Sequence, residues 1–448
     1  WIKKLTDKKL NGYLLPSLRS LPMKIKSLNH LYQLFQRIFL LLLCLNVCPK
    51  ISYSQWLQWG GPNRNFKVDS EGLKTDWTEK KPKQLWKRQL GEGYSAICAD
   101  QDNLYTMFRR GNEDVVIALS AQTGKTIWEY AYTSLPWGEF NQQYGPGPHS
   151  TPLIIGDYIY SIGFRTELTC LDKNNGQKIW SHNLWDEYGA KPGDRGYASS
   201  PIAYKELLIV LAGGKGHGVM AFNLKNGQLV WKAQDFINSY SSPIIINVDG
   251  QDQLIAFVEK KVAALDPNTG GLFWQHGHNT QYQIHASTPI WGKDNILFIS
   301  SAYDAGSRAL HLSLQDGKTV VEELWYSKKL RVQHGSAVRV DETIYASSGH
   351  GPAFLTAVSV KTGEVTNQQR GFGKANLIMA GTQMIVLDEA GKLAIVKANP
   401  NSFDVLAESE VLTSRAWTVP TLAGGKIYLR DMKEILALDI GVNTKIER

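Results

Sequence analysis

A short motif recurs along this chain of 448 residues and constrains its fold more than any other feature. Clear copies run from Ala118 to Trp128, from Cys170 to Trp180 and from Ala221 to Trp231. Each copy contains an apolar run, then Thr-Gly or Asn-Gly, then a second run that ends in Trp. This pattern predicts two β-strands joined by a tight turn in which Gly adopts a positive φ. Because the motif returns at intervals of roughly 40 to 50 residues, we expect a repeat protein.

Another pair of apolar runs precedes each motif, as in Thr151 to Ile155 and Tyr158 to Ile162, so one repeat is predicted to be a four-stranded antiparallel meander. Eight apolar residues mark the third strands: Leu119, Leu171, Phe222, Leu265, Leu312, Val358, Ile395 and Leu438. The predicted fold is therefore all-β, an eight-bladed β-propeller.

The two ends of the chain are expected to complete one blade. The last motif, Ile435 to Ile440, leaves no room for a fourth strand, whereas Gln84 to Lys87 has the pattern of a fourth strand without a third before it. If these segments pair, the N- and C-terminal strands share one blade and no sheet edge stays unpaired around the ring.

Six tryptophans at the ends of fourth strands are predicted to be structural and to fill wedges between adjacent blades: Trp86, Trp128, Trp180, Trp231, Trp274 and Trp325. In two degenerate copies, Val365-Thr366 and Leu406-Ala407 are assigned to the Trp position while the strand pattern persists. A catalytic residue would not be repeated in this way.

The formal net charge of +8 lies entirely in the leader. Residues 1–54 hold nine Lys or Arg and one acidic residue, and the rest of the chain carries 40 basic and 40 acidic residues. The chain after the leader is neutral and lacks the excess of basic residues that nucleic-acid binding requires, so we expect no nucleic-acid partner.

The leader has the pattern of a secretory signal. An apolar run from Ile38 to Val47 follows basic residues and precedes small residues near Ser54-Gln55, where cleavage is expected. The run is too short for a spanning helix of about 20 residues, so the mature chain is expected to have no transmembrane span and to be periplasmic or secreted. Met23 would be a conventional start, so 1–22 are interpreted as an upstream artefact. A lipoprotein is the alternative, although Val47 is not the small residue expected before a lipidated Cys48.

The chain therefore divides into three predicted parts: a leader (1–54), an N-terminal strap (55–80) and the propeller (81–448). Of four cysteines, Cys98 and Cys170 remain after cleavage. They fall on different predicted blades, so a disulfide is not favoured.

The repeat resembles that of the quinoprotein-type propellers, the pyrroloquinoline-quinone (PQQ) repeat family, whose blades carry Ala-x-Asp-x-x-Thr-Gly-x-x-x-Trp. The resemblance covers Gln84 to Ile440. The segment Gln55 to Arg64 is also similar to the Trp-x-Gln-Trp-Arg-Gly-Pro-Asn-Arg opening of secreted bacterial members, with Gly60 in place of the usual Arg. We expect this opening to be a strap packed on the propeller surface.

The resemblance implies two functions. The family includes PQQ-dependent alcohol dehydrogenases, in which PQQ lies between a Trp and a Cys-Cys disulfide beside a calcium ion, and also a cofactor-free lipoprotein of the outer-membrane β-barrel assembly machinery. This sequence has no Cys-Cys pair, and its isolated Asp100-Gln101-Asp102 does not continue into a run of calcium-site spacing. We expect an exported, monomeric binding or scaffolding module. The alternative is a PQQ- and calcium-dependent oxidoreductase of alcohols or sugars, so enzymatic activity stays an open question.

Candidate ligand-binding residues lie where the chain enters the first strand of each blade, because first strands line the central channel of a propeller. If their positions are equivalent, these entry segments place seven residues in a ring around one channel mouth: Tyr94, His149, Tyr197, Tyr240, His285, His334 and Trp417. Such a ring could stack a planar ligand, hold a peptide, or bind a metal through His149, His285 and His334, or its members could simply fill the neck. We predict no metal, because intervening blades separate His149 from His285 and His334, and metal bonds of about 2 Å are too short to join them.

The two longest connections, Glu129 to Gly147 and Ser181 to Arg195, are expected on the binding face, which would receive a protein or small-molecule partner. Their aromatic residues are expected to pack the loops on each other, with a recognition patch as the alternative: Tyr132, Trp137, Phe140, Tyr144, Trp185 and Tyr188. If the site is catalytic, Asp194 is the candidate base and Arg195 is the residue that would bind an anion. Arg195 also belongs to the predicted ligand site.

Overall fold

The computed structural model describes residues 55–70, 72–77, 81–349 and 351–441. All of them belong to one compact unit. The predicted signal peptide, its cleavage site and the interpretation of 1–22 lie outside the described residues. Within the described part, no helix has the length and apolar character needed to cross a membrane.

The described residues form an eight-bladed β-propeller, as predicted. The strands are arranged in eight sheets, each built on an antiparallel meander of four strands; these are consecutive except where the chain ends meet, and one sheet has a fifth, parallel strand. Each blade therefore runs from an innermost first strand at the channel to an outermost fourth strand.

Blades 1 and 2 follow each other directly along the chain. Their strands are β3 (Cys98–Asp100), β4 (Asn103–Arg110), β5 (Glu113–Ser120) and β6 (Thr126–Thr133), then β7 (Leu153–Ile155), β8 (Tyr158–Ile162), β9 (Glu167–Asp172) and β10 (Lys178–Asn183). The long connection after β6 contains a 3-10 turn at Gln142–Tyr144, and the connection after β10 begins with helix α1 (Leu184–Tyr188).

Blades 3 to 5 repeat the same order. Their strands are β11 (Ile202–Tyr204), β12 (Leu207–Val210), β13 (Val219–Asn223) and β14 (Leu229–Ala233); β15 (Ile244–Val248), β16 (Gln251–Val258), β17 (Lys261–Leu265) and β18 (Leu272–Gly277); β19 (Ile290–Trp291), β20 (Ile296–Ser301), β21 (Gly306–Gln315) and β22 (Lys318–Ser327).

Blades 6 to 8 complete the ring. Their strands are β23 (Ala337–Val340), β24 (Thr343–Ser347), β25 (Leu355–Ser359) and β26 (Val365–Gln369); β27 (Ala375–Ala380), β28 (Gln383–Asp388), β29 (Lys392–Asn399) and β30 (Ser402–Glu410); β31 (Thr421–Ala423), β32 (Lys426–Arg430) and β33 (Glu434–Asp439). A short strand β1 (Lys67–Val68) pairs in parallel with β27, and β2 (Lys83–Gln89) is the fourth strand of blade 8.

The closure of the ring is confirmed. Strand β2 pairs antiparallel with β33, with Lys87 opposite Leu436. The fully buried Arg430, at the end of β32, crosses from blade 8 to blade 1, where its guanidinium donates to the carbonyl oxygen of Met107 at 2.6 Å and to that of Gly91 at 3.1 Å. The backbone pairing of β2 with β33 and the side-chain hydrogen bonds of Arg430 therefore close the ring between the last blade and the first.

Five of the six motif tryptophans pack on the motif glycine of the following blade, and Trp274 is the exception, because nothing lies within 4 Å of the Cβ position of Gly317. The ring of Trp128 lies 2.5 Å from the point that a Cβ on Gly176 would occupy, and the same holds for Trp86 on Gly124. The Nε1–H of Trp128 donates to the carbonyl oxygen of Lys173 at 2.9 Å. The glycine is therefore required twice, for a positive φ (73° at Gly176) and for the space that the neighbouring ring fills.

A β-bulge in the fourth strand turns the motif tryptophan into the protein interior and leaves the preceding residue exposed to solvent. In blade 2 the pairing of β9 with β10 shifts between Lys178 and Trp180, so Ile179 is left out of the register and is exposed. In blades 6 and 7 the same shift places Asn367 and Ala407 at the Trp position, which corrects the sequence assignment by one residue in blade 6.

The aromatic side chains of the N-terminal strap are buried in the propeller, although the sequence predicted a strap packed on its surface. Trp56 and Phe66 are fully buried, and the backbone of Trp56 bridges Ala99 of β3. The carbonyl oxygen of Phe66 accepts from the backbone N–H of Met379 in β27. Since β3 and β27 are innermost strands, segment 56–68 crosses one end of the channel and covers it.

Candidate functional site

The opposite end of the channel opens into a cavity of about 150 Å³. We call this side the mouth face; it is built by the eight segments that lead from the outermost strand of one blade to the innermost strand of the next. Six of the predicted site residues line the cavity: Tyr94, His149, Arg195, Tyr240, His334 and Trp417. The other lining residues are Trp59, Tyr144, Ala198, Ser200, Ser242, Ile284, Ala286, Tyr303 and Gln333.

Four of these rings form a continuous arc along one wall. His149 stacks on Tyr94 with ring centroids 5.5 Å apart, Tyr94 lies 5.1 Å from Trp417, and Trp417 lies 4.1 Å from His334. The four residues come from blades 2, 1, 8 and 6, so the arc depends on the closed ring.

Two members of the predicted ring, Tyr197 and His285, do not line the cavity. Tyr197 is buried in the core between blades 2 and 3. His285 is fully buried, stacks on Phe257 at 4.1 Å and contacts Ser301 and Glu259 through its two ring nitrogens. Their neighbours Ala198 and Ala286 take the lining positions instead.

Hydrogen bonds between blades show why the two assignments are off by one residue. The backbone N–H of Ala96 donates to Oγ1 of Thr151, that of Thr151 to Oγ of Ser200, and that of Ser200 to Oγ of Ser242. These four positions are therefore equivalent, and the lining residue stands two positions before each. Because successive side chains of an extended segment point to opposite sides, a one-residue error moves a side chain from the channel to the core.

The strap supplies the floor of the cavity. Trp59 lines it from the covered end of the channel, and its Nε1–H donates to Oγ1 of Thr288 at 2.8 Å. Trp59 also contacts Phe66 edge to face, with centroids 5.5 Å apart. Among the described residues, Trp59 therefore forms the end of the cavity opposite the mouth face.

Both imidazoles of the arc are neutral near pH 7. Burial lowers the pKa of His149 to about 4, and burial lowers that of His334 to about 3, with the nearby cations Lys374 and Arg415 acting in the same direction. A neutral imidazole carries one donor and one acceptor nitrogen. Nδ1 of His149 and Nε2 of His334 have no hydrogen-bond partner among the described residues.

The candidate base and anion anchor form a network at the rim. Arg195 donates to Oδ1 of Asp194 at 3.2 Å, and the hydroxyl of Tyr240 donates to the same oxygen at 3.2 Å. The guanidinium of Arg195 also covers the ring of Tyr144 at 4.8 Å. Asp194 does not line the cavity, so its position supports a role in holding Arg195 and Tyr240 rather than proton transfer.

The two long connections pack on one another beside the mouth. Trp137 stacks on Phe164 at 5.6 Å and meets Trp185 edge to face at 5.4 Å, and Arg165 covers the ring of Trp185 at 4.3 Å.

An ion pair that the sequence did not reveal anchors this cluster. The fully buried Asp114 accepts from Arg109 at 3.3 Å and from the backbone N–H of Phe164 at 2.9 Å. Burial raises the pKa of Asp114 to about 6, against the opposite effect of these donors.

The lining does not fit calcium-held PQQ. Calcium prefers six to eight oxygen ligands with carboxylates among them, whereas the residues described around this cavity supply hydroxyls and one amide but no carboxylate. A volume of about 150 Å³ matches a cavity that holds a single benzene ring, which is smaller than a fused tricyclic cofactor. In the described part of the chain no three His, Cys, Asp or Glu side chains are grouped to hold a metal ion, and Cys98 and Cys170 are free.

The fold and its repeat define a β-propeller of the PQQ-like repeat class. The family model described as "Outer membrane protein assembly factor BamB" matches residues 112–369, and the chain belongs to this family. A curated BamB from Alkalilimnicola ehrlichii is 25% identical over 199 residues, which cover 44% of this chain and 46% of that protein. The chain thus spans about half the length of the curated BamB relatives it matches.

Solved structures agree on the fold. BamB from Moraxella catarrhalis superposes with a TM-score of 0.56 at 16% identity, covering 80% of this chain and 99% of that one. A quinohemoprotein alcohol dehydrogenase from Comamonas testosteroni superposes with a TM-score of 0.62 at 11% identity, covering 88% and 82%. At these identities the likeness concerns the fold alone.

Proposed function

We propose that the protein is an exported scaffolding module that takes part in outer-membrane protein assembly by binding a partner protein on its mouth face. Membership of the BamB family is the observation that carries this proposal, because the relatives are named as outer-membrane protein assembly factors. The apolar run in the leader supports export to the periplasm.

The chemistry of the mouth face supports protein binding. Three large apolar residues on its connections are at least half exposed: Leu135 (50%), Ile237 (59%) and Tyr282 (55%). They belong to the segments that follow β6, β14 and β18, so they surround the cavity rather than the covered end of the channel. Exposed apolar residues around a concave aromatic site are typical of a protein interface.

Binding to the periplasmic components of the assembly machinery of the same organism tests the proposal. The purified chain from residue 55 onward is titrated against each soluble component by calorimetry. We expect one component to bind and each of the substitutions Leu135→Lys, Ile237→Lys and Tyr282→Lys to weaken binding at least tenfold. Ile127→Lys is the matched control, because Ile127 is similarly exposed (46%) but lies on an outermost strand.

Two results would argue against the proposal. If no component binds, the scaffolding role in this assembly fails. If a component binds equally to the wild type and to all three mouth-face variants but not to Ile127→Lys, the outer edge of the propeller is the interface instead.

The oxidoreductase alternative has its own test. The thermal midpoint is measured with and without PQQ plus calcium, because a ligand at a hundred times its Kd stabilises the folded state by about 2.7 kcal/mol. We expect no shift, since the lining lacks carboxylates; a clear rise would favour the oxidoreductase and justify dehydrogenase assays.

A further inference from the structure

The face of the propeller that the strap crosses carries a groove of its own. Two adjoining hollows of about 490 and about 330 Å³ lie there, and Asn65, Ile290 and Trp291 line both of them. We call the two hollows together the strap-face groove. It runs between strap residues 63–67 and the turns of blades 5 and 6, and it shares no lining residue with the cavity of the mouth face. Hollows of this size are in the range of small-ligand sites, about 300 to 1,000 Å³.

Trp291 is an aromatic surface at the junction of the two hollows. It is only partly buried, and it packs on the core formed by blades 4 and 5. Its Nε1–H is accessible to solvent and makes no hydrogen bond among the described residues, in contrast to that of Trp128, which donates to Lys173. Part of the indole is therefore available to a ligand that combines an apolar face with a polar edge.

A carboxylate in fixed orientation lines the groove beside Trp291. Oδ2 of Asp294 accepts from Nη2 of Arg339 at 2.6 Å, and Nε of Arg339 donates to the carbonyl oxygen of Asp341 at 2.8 Å. The Arg339 side chain is 9% exposed and that of Asp294 is 34% exposed. Burial acts to raise the pKa of Asp294, but the hydrogen bond and the charge of Arg339 outweigh it and hold this pKa below its ordinary value. Asp294 is thus an ionised, accessible hydrogen-bond acceptor.

The strap supplies hydrogen-bond donors on the other side of the groove. Nδ2 of Asn65 is accessible to solvent and makes no hydrogen bond in the described part of the chain, and the side chain of Asn63 is exposed. Both residues line the groove. Amide donors and a carboxylate acceptor on either side of an indole match a ligand that carries several hydroxyl groups.

The charges around the groove favour a ligand without strong net charge. Charged side chains of both signs line it: Arg64, Lys67, Lys293 and Arg339 are basic, and Asp294, Asp341 and Glu342 are acidic. Arg339 pairs with Asp294, and Glu342 pairs with Lys361. Such a mixture gives neither a strongly acidic nor a strongly basic ligand a complementary surface.

An extended peptide has no strand edge to join here. The carbonyl oxygen of Phe66 accepts from Met379 in β27, so the backbone of Lys67, the next residue of β1, faces the opposite way. Its N–H already donates to Oδ1 of Asn65 at 3.1 Å. This side chain caps the outer edge of β1 and blocks the pairing of a further strand.

We propose that the strap-face groove binds an oligosaccharide, with one pyranose ring packed on Trp291 and its hydroxyls bonded to Asp294 and Asn65. A pyranose ring has faces of C–H groups, which pack on an indole, and a rim of hydroxyls, which bond carboxylate and amide side chains. The inference does not depend on the proposed function. It assigns the protein a second site on the face opposite its partner surface.

Binding of defined oligosaccharides tests the groove. The probes are chitotetraose, cellotetraose and maltotetraose, with tetraglutamate as an acidic peptide, each titrated against the purified chain from residue 55 onward by saturation-transfer NMR. We expect at least one tetrasaccharide to bind with a Kd of about 1 mM or tighter, and tetraglutamate not to bind. Binding of chitotetraose alone identifies a strand of N-acetylated amino sugars as the ligand class, and binding of either glucose oligomer identifies a neutral glucan. If no sugar binds, or if only the peptide does, the proposal is wrong.

Substitutions locate the bound sugar. Trp291→Ala and Asp294→Asn should each weaken its binding at least about tenfold, the first by removing the packing surface and the second by removing the charge of the acceptor. Asp304→Asn is the matched control, because Asp304 is also a carboxylate paired with an arginine, Arg331, but lies between β20 and β21 near the mouth face. Asp294→Asn decides the question if Trp291→Ala fails to fold.

The same variants separate this site from the proposed partner surface. Leu135→Lys, on the mouth face, should leave sugar binding unchanged, and Asp294→Asn should leave the binding of an assembly component unchanged. Undiminished sugar binding in both Trp291→Ala and Asp294→Asn, or its loss in Leu135→Lys, would place the sugar outside the strap-face groove and overturn the proposal. Failure of every assembly component to bind would leave the sugar site standing.

Discussion

The Nε1–H of Trp59 donates to Oγ1 of Thr288 at 2.8 Å, although 229 residues separate the two in the chain. This hydrogen bond joins the strap to the segment that enters blade 5, and it fixes the indole that forms the cavity floor. The strap is thus part of the candidate site as well as a cover for the channel.

The first prediction concerns this bond. Thr288→Val keeps the shape of a nearly buried side chain but leaves the indole N–H without its acceptor, so we expect a loss of about 1 to 3 kcal/mol in the free energy of unfolding. Thr126→Val is the control, because the exposed Thr126 only accepts from the surface residue Arg88. Urea denaturation measures both, and equal losses would show that the floor contact contributes nothing.

The second prediction concerns the docking of tryptophan on glycine. Gly176→Ala should lower the free energy of unfolding by at least about 2 kcal/mol more than Gly156→Ala does, because Trp128 already fills the space of the new Cβ at Gly176. Gly156 is the matched control, since it also has a positive φ (56°) but nothing lies within 4 Å of its Cβ position.

A double-mutant cycle identifies the cause of that extra cost. When Trp128 is also replaced by Leu, Gly176→Ala should lose less unfolding free energy relative to Gly156→Ala, because the smaller side chain leaves room for the methyl group. If the excess persists, the strain belongs to the turn and not to the tryptophan.

The third prediction concerns ring closure. Arg430→Met should lower the free energy of unfolding by about 2 kcal/mol or more, because it leaves the carbonyls of Met107 and Gly91 without their buried donor. Burial lowers the pKa of Arg430 to about 10, so the guanidinium is still charged at pH 7. Arg88→Met, at a partly exposed position of the closing strand β2, should lower the free energy of unfolding by under about 1 kcal/mol in the same urea titration.

The fold was predictable because its information is local and repeated. Most motifs carry a turn glycine and a Trp, so eight imperfect copies support one another even where Asn367 and Ala407 stand at the Trp position. The shared closing blade followed from counting strands at the two ends.

The candidate site was only partly predictable, because its register and its floor depend on contacts between distant segments. Tyr197 and His285 were assigned by the resemblance of short segments, and the correct positions, Ala198 and Ala286, carry no chemical signal of their own. The spacing from Ser200 and Thr288 could have revealed them. No local pattern indicates that Trp59 would meet Thr288 or that Arg430 would bridge two blades.

The last prediction concerns acid sensitivity at His285. This side chain is fully buried, and because Nε2 faces the carbonyl oxygen of Glu259 at 3.0 Å, Nε2 carries the proton and Nδ1 accepts from Ser301. Burial lowers the pKa of His285 from its ordinary 6.5 to about 4. Between these values the unfolded chain binds a proton that the folded protein excludes, so stability falls as pH falls from 6.5 towards 4.

Lowering the pH from 7 to 5 should therefore remove about 2 kcal/mol through His285. His285→Gln keeps a donor and an acceptor but does not titrate. Between pH 7 and pH 5 this variant should therefore lose about 2 kcal/mol less unfolding free energy than the wild type. His311→Gln, at a partly exposed position of β21, should follow the wild type. Urea titrations at pH 7 and pH 5 measure the difference, and parallel declines in all three proteins would mean that His285 is protonated in the folded state or contributes no proton linkage.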